Sequence, residues 1–249
     1  MKHPSQSVET FDSEHCRLVV VQDHHQVCPY LPDQTARMPL KLPIGGFTAQ
    51  AMDWLLENGY RRSGEFVYRT QCPACDACEP TRIEVRHFRW TKSFRRVFNR
   101  GRRELEYRWQ TPTVDSQRVE LFNLHRNVRN LASHDGPIDD DSYAAFLVSS
   151  FGRADELSLY HDGNLVCVSI VDVGAESLSA VYTFFDPQFG RYSLGTYAIL
   201  RQIQRAVDDN LRFVYLGMYV AENSHLNYKG RFGKQERRIR GRWTVINGD

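Results

Sequence analysis

Residues 157–173 read LSLYHDGNLVCVSIVDV, and the Asp-Gly pair at 162–163 restricts the fold more than any other feature of the chain. Two strand-like runs joined by two residues that tolerate positive φ form a tight hairpin, so the flanking strands must pair antiparallel. SLSAVYTFFDP (177–187) follows as a third strand and extends the hairpin to a meander. Two amphipathic helices come before it, DSQRVELFNLHRNVRNLASH (115–134) and DDSYAAFLVSSF (140–151). The second begins with acidic residues, where the helix dipole favours negative charge. SLGTYAILRQIQRAVDDN (193–210) reads as another helix, and RFVYLGMYV (212–220) as a buried strand. Helix, helix, meander, helix, strand is an α+β order with a mostly antiparallel sheet. It is also the element order of the acetyltransferase-like (GNAT) fold.

The earlier part of the chain reads differently. Between residues 15 and 90, Pro29, Pro32, Pro39, Pro43, Pro73 and Pro80 break the sequence into short strands around one helix, TAQAMDWLLENG (48–59). Thr48 is its expected N-cap and Gly59 its exit. Phe94, Val97, Phe98 and Gly101 recur at helical spacing, with Gly101 the expected end of that helix, and LEYRW (105–109) alternates as a half-buried strand does. The expectation is two lobes: a Cys-containing, basic α+β lobe at 1–110 and a GNAT-like lobe at 111–249.

Formal net charge is only +2, yet the charge is polarised. Arg86, Arg89, Lys92, Arg95, Arg96, Arg100, Arg102 and Arg103 follow one another without an acidic residue. Like charges this dense repel unless a polyanion relieves them, so the run suits phosphate or carboxylate recognition as well as a merely solvated face. NYKGRFGKQERRIRGRW (227–243) is a second basic segment, with a frayed basic tail as the plain alternative.

Cys72, Cys75 and Cys78 are spaced C-x-x-C-x-x-C, and Cys28 in CPYLP is the candidate fourth thiol. Four such thiolates suit zinc or an iron–sulfur cluster; free thiols bracing a tight turn are the alternative. Cys16 and Cys167 read as small core residues. Ser193 is placed to cap the 193–210 helix, and Gly195 to admit a close backbone approach. Only a remnant of a Gly-rich pyrophosphate loop stands there, which points to an acyl donor other than coenzyme A. No Gly-x-Ser-x-Gly, HExxH or Walker sequence occurs, so covalent-serine, zinc-protease and NTPase chemistry find no support. The apolar runs fall far short of the roughly 18 residues of a membrane span, and MKHPSQSVETFDSEHC lacks the form of a secretory signal. The expected compartment is the cytoplasm.

Four blocks taken together carry a family resemblance: CPYLPDQTARMPLKLP, YRTQCPACDACEPTRIEVRHFRWTKSFRRVFNR, YTFFDPQFGRYSLGTYAILRQIQRA and YLGMYVAENSHLNYKGRF. In this order they resemble the aminoacyl-tRNA–protein transferases of the arginyltransferase family, and most of all its bacterial branch, the aspartate/glutamate leucyltransferases. The likeness spans about residues 16–243. It implies transfer of leucine from leucyl-tRNA to proteins that begin with Asp or Glu, with no cofactor required for the transfer and no membrane or DNA partner. Arginyl-tRNA as donor is the family alternative, a metal-knuckle nucleic-acid-binding protein the non-enzymatic one, and a small-molecule acetyltransferase a third. Under the resemblance, Arg82, Arg95 and Arg96 would grip the acceptor's carboxylate, and Asp186 or Tyr228 would handle the amine proton. Tyr182, Thr183, Ser193, Leu194 and Gly195 would line the aminoacyl-adenosine site, and Lys229 and Arg231 would meet tRNA phosphates. Eukaryotic relatives have an iron–sulfur cluster associated with the Cys motif. This chain departs from their pattern, with Leu31 standing in CPYLP where they carry a second cysteine.

Overall fold

The computed structural model describes residues 9–10, 16–131 and 136–246. The elements run β1 (Glu9–Thr10), β2 (Cys16–Gln22), β3 (His25–Val27), β4 (Thr35–Arg37), β5 (Leu40–Gly45), α1 (Ala49–Glu57), β6 (Arg61–Ser63), β7 (Phe66–Tyr68), β8 (Glu79–Glu84), α2 (Lys92–Glu104) and β9 (Glu106–Gln110). There follow α3 (Ser116–Val128), α4 (Asp140–Tyr143), β10 (Ala154–His161), β11 (Asn164–Val173), β12 (Ser177–Phe185), α5 (Leu194–Asp208), β13 (Phe213–Tyr219), β14 (Gln235–Ile239) and β15 (Arg242–Ile246). One part of the expected 115–134 helix, residues 132–134, lies outside the described residues.

An eight-stranded sheet in the order β15-β14-β8-β13-β12-β11-β10-β9 forms the centre, beside a five-stranded sheet β1-β2-β5-β7-β6 and the β3-β4 pair. All pairings in the large sheet are antiparallel except β12 with β13. That exception follows from α5, because two strands joined through a crossover helix must run the same way. The Asp-Gly hairpin forms as expected, with φ of 49° at Asp162 and 78° at Gly163. α2 and α5 pack on one face of the sheet through Phe94, Leu178, Ile199, Leu200, Ile203 and Leu216. α3 covers the other face through Val119, Leu121 and Phe122 against Val168, Ile170 and Phe184. The α+β, GNAT-like arrangement read from the element order is therefore present.

Three local expectations change. Residue 110 does not separate the two sheets: β8 and β9, both before it, are strands of the eight-stranded sheet. Pairing across more than 100 residues leaves no trace in local pattern. Gly101 does not end α2, which continues to Glu104. Its lack of a side chain instead admits Tyr197: a β-carbon there would stand 2.5 Å from Tyr197 Cε2. Ser193 makes no capping bond through its side chain, because its backbone is left-handed (φ 51°) and turns the preceding 3₁₀ turn, Pro187–Tyr192, into α5. Thr48 does cap α1, accepting from the Ala51 N–H, and Gly59 leaves it at φ 82°. Cys16 and Cys167 are buried in the core.

Candidate active site

The parallel pair β12–β13 holds together over only three residue pairs, Ser177 with Phe213, Leu178 with Val214 and Ser179 with Tyr215. Beyond them β12 keeps its partner β11 through Phe185, while β13 keeps β8 through Tyr219. The two strands therefore part in the middle of the sheet, and their carboxyl halves continue on separate partners. A bulge in β13 between Tyr215 and Gly217, with φ of 92° at Gly217, turns that half of the strand further. Irregular backbone at the carboxyl ends of parted strands is where an α/β-type sheet exposes groups for chemistry.

Three elements close round the opening. The end of α3 is tied to β12 by His125, whose Nδ1 lies 3.0 Å from the Phe185 carbonyl oxygen and 3.2 Å from its nitrogen. Burial holds this imidazole below its usual pKa. Arg129, one turn on, lies with its guanidinium 5.9 Å from the Phe185 ring and Nη2 3.3 Å from His225 Nδ1. The 3₁₀ turn Asn227–Phe232 runs along the parted half of β13. Its Phe232 stacks on Phe94 of α2 at 5.1 Å, which sets the basic helix beside the turn. Tyr228 of the turn and Tyr182 of β12 share Arg129 as a charged neighbour, and burial raises both phenol pKa values. Both phenols thus stay protonated near neutrality and serve as donors. The segment after β13 is pinned to the CPYLP block by Asn223 Nδ2, which donates to the Tyr30 carbonyl at 2.9 Å.

Arg82 is buried and fully occupied. It pairs with Glu57 and with Glu236 (2.6 Å), and lies 3.9 Å from the Phe213 ring centre and 4.1 Å from that of Trp243. Arg95 and Arg96 stand exposed on α2, with no ion pair among the described residues. Thr183 faces away from Tyr182, its Oγ1 2.7 Å from Ser169 Oγ, which accepts from Gln202 of α5. Leu194 is buried in the core and Gly195 lies against Phe185. Asp186 accepts the Gln188 N–H at 2.9 Å and so caps a turn.

Lys229 is buried, only 5% exposed, whereas Arg231 is exposed. The second basic segment is no frayed tail: it forms β14 and β15, with Arg237 paired to Glu79 at 3.2 Å and Arg240 to Asp76 at 3.4 Å. Each of these charges meets a carboxylate on the β8 side of the molecule, a pairing that sequence spacing does not disclose.

The four thiols of Cys28, Cys72, Cys75 and Cys78 are neighbours, and burial together with the other three pushes Cys78 up to about 12. As placed, no group of three or more His, Cys, Asp or Glu among the described residues is set to hold a metal ion.

The sequence reading missed His125, Arg129 and Arg61. The i, i+4 spacing of His125 and Arg129 was available as a signal, since it puts both on one helical face.

Comparison with known proteins identifies the family. Residues 26–96 match the N-terminal model of arginine-tRNA-protein transferase and residues 117–239 the C-terminal model. The aspartate/glutamate leucyltransferase of Pseudomonas fluorescens is 35% identical over 237 residues, 94% of this chain and 100% of the relative. The chain belongs to this transferase family. It is an aminoacyltransferase of the branch that also includes the aspartate/glutamate leucyltransferases of Acinetobacter baylyi (34% identical, 88% of this chain and 81% of the relative) and Vibrio parahaemolyticus (32%, 93% and 98%). Among solved structures, the C-terminal domain of a putative lysylphosphatidylglycerol synthetase from Agrobacterium fabrum shares the fold at 12% identity. The match has a TM-score of 0.51 and covers 87% of this chain and 70% of that one.

Proposed function

We propose that this chain transfers leucine from leucyl-tRNA to the α-amino group of proteins that begin with Asp or Glu, and that the cleft between β12 and β13 is where the two substrates meet. The observation that carries the reading is 35% identity to an aspartate/glutamate leucyltransferase along that protein's whole length. The electrostatics support leucine over arginine as the donor: among the described residues, Arg129 is the charged neighbour that Tyr182 and Tyr228 share. A donor side chain carrying a guanidinium would meet like charge there.

The chemistry is an ester aminolysis. The acceptor nitrogen bonds to the leucyl carbonyl carbon, the bond from that carbon to the ribose oxygen of the terminal adenosine breaks, and the amine proton passes to the released hydroxyl. An ester is already activated, and an α-amino group with a pKa of about 7.7–8.0 is partly neutral at pH 7. The protein therefore contributes mainly by holding nitrogen and carbonyl in line. Tyr182 and Tyr228 supply O–H donors for the oxygen that gains charge, with Arg129 beside both.

The nucleic acid lies along α2. Lys92, Arg95, Arg96, Arg102 and Arg103 are exposed there with no ion pair among the described residues, and the helix adjoins the turn that bears Tyr228. Arg95 and Arg96 thus take the phosphate-facing role, together with the exposed Arg231. No helix of the described residues is long and apolar enough to cross a membrane. The cytoplasm is the compartment that goes with the proposed aminoacyl-tRNA donor.

The test incubates the purified chain with labelled leucyl-tRNA or arginyl-tRNA and peptides beginning with Asp, Glu, Lys or Ala. Leucine on the Asp and Glu peptides alone is the expected result. Arginine transfer would reverse the donor assignment, and no transfer by the folded protein would remove the reading.

A further inference from the structure

Behind the parted half of β13 lie two buried cations with no ion pair among the described residues. Arg61, on β6, is 6% exposed. Its Nη2 donates to the Gly217 carbonyl at 3.2 Å, while its Nε and Nη1 have no hydrogen-bond partner among the described residues. Lys229, 5% exposed, reaches the same glycine from the opposite element: its Cε stands 3.7 Å from where a β-carbon on Gly217 would be. Its ammonium lies 4.8 Å from the centre of the Tyr228 ring.

The carboxylate that acts on Arg61 is already committed. Asp172 is among the charges that act on Arg61, yet it accepts from Arg62 Nε at 2.8 Å with both side chains almost sealed. One carboxylate thus stands against Arg61 and Arg62 before Lys229 is counted. Burial and the charge of Arg61 bring Lys229 down to about 7, as an ammonium without an anion should behave. A buried unpaired charge is costly, and open N–H groups on a sealed guanidinium add to that cost. A fold retains such a cost where a ligand cancels it on binding.

Position identifies the ligand. Gly217 is in the cleft-lining half of β13, and Lys229 is next in sequence to Tyr228. Tyr30 and Tyr68, both electrostatic neighbours of Arg61, also line a cavity of about 270 Å³ on the side of the five-stranded sheet. We propose that Lys229 and Arg61 receive the side-chain carboxylate of the acceptor's first residue and are the groups that restrict transfer to Asp and Glu. This rests on the transferase reading, and it moves acceptor recognition from the exposed arginines of α2 to the seam between the two sheets. Asn or Gln in the same place would leave both cations unanswered, so the pocket discriminates by charge rather than by size.

The experiment measures kcat/KM of the full chain for peptides beginning with Asp, Glu, Asn and Gln, with leucyl-tRNA as donor, alongside leucyl-tRNA binding by filter retention. Lys229→Met should lower kcat/KM for the Asp and Glu peptides on the order of 10²–10³-fold. The Asn and Gln values and donor binding should stay as they were. Should Lys229→Met lose donor binding through misfolding, Arg61→Lys carries the test: it keeps the charge with a different set of N–H groups and should lower the Asp-to-Asn ratio about tenfold. An unchanged Asp-to-Asn ratio in a donor-binding variant overturns the proposal. Wild-type protein that binds leucyl-tRNA but transfers leucine to no peptide overturns the transferase reading itself, which is a distinct result.

Discussion

Arg62 Nε donates to Asp172 Oδ1 across 2.8 Å, with the two side chains 1% and 2% exposed. This contact joins β6 of the five-stranded sheet to β11 of the eight-stranded one. Arg62 also donates to the carbonyls of Gly64 and Ser149, so one guanidinium fastens three segments. Arg61 is its neighbour in sequence and points to the other side of the strand, toward Gly217. The pair therefore fixes where the open cation of the cleft stands.

Arg62→Met should be strongly destabilising, by about 3–5 kcal/mol, because it leaves the Asp172 carboxylate buried without its partner. Adding Asp172→Leu should restore most of the loss, since the apolar pair removes both charges. Urea denaturation of the single and double variants measures this. A single variant as stable as the parent would mean that the two sheets are held together by other contacts.

Gly101→Ala should destabilise by about 1–3 kcal/mol. The added carbon would stand 2.5 Å from Cε2 of Tyr197, whose ring is fully buried. Ala is otherwise the better helix former by roughly 1 kcal/mol, so a stabilised variant would show that α2 and α5 can move apart. Thermal denaturation decides between the two.

Stability should depend on pH through Lys229. Its folded-state pKa is about 7, depressed from the ordinary lysine value of 10.5 by burial and by Arg61, the charged group that acts on it. Between those two values the unfolded chain holds the proton and the folded chain does not. Stability from this residue therefore rises with pH through that window, by at most about 1.4 kcal/mol per pH unit, and is lowest below pH 7. Lys229→Met should remove the dependence and be more stable than the parent at pH 6, with the gap closing toward pH 9. Parallel denaturant titrations at the two pH values measure it, and an identical gap at both would place the ammonium in contact with water.

Charge reversal on α2 should act on donor affinity. Arg95→Glu with Arg96→Glu should raise KM for leucyl-tRNA and reduce the dependence of log K on log salt by roughly 0.7–0.9 for each lost phosphate contact. The preference for acidic acceptors should survive, because these side chains stand on the exposed face of α2. Loss of that preference with unchanged donor binding would return acceptor recognition to the basic run.

Elements whose signals are local were legible in the sequence. Thr48 and Gly59 bracket α1, Asp162-Gly163 makes the hairpin, and Cys16 and Cys167 lie in the core. The cleft itself was not legible, because it arises where β12 and β13 stop pairing, and register across strands separated by α5 leaves no periodicity. Charges were misplaced for the same reason. Arg82 and Arg95 belong to one basic stretch of sequence, yet one is enclosed by Glu57 and Glu236 and the other faces solvent. Lys229 lies next to a run of exposed and paired cations but turns inward against Gly217. Only the folded chain shows which cations have carboxylate partners.

The location of chemistry in the cleft is tested most directly by amide hydrogen exchange, with and without a non-hydrolysable leucyl-amide analogue of the aminoacylated tRNA 3′ end together with an Asp-leading peptide. Protection is expected in residues 180–185 of β12, in Gly217–Tyr219 of β13 and in the turn Asn227–Phe232. Protection confined to the opposite end of α5, around Tyr107, Trp109 and Arg205, with no change in those three segments, would contradict it.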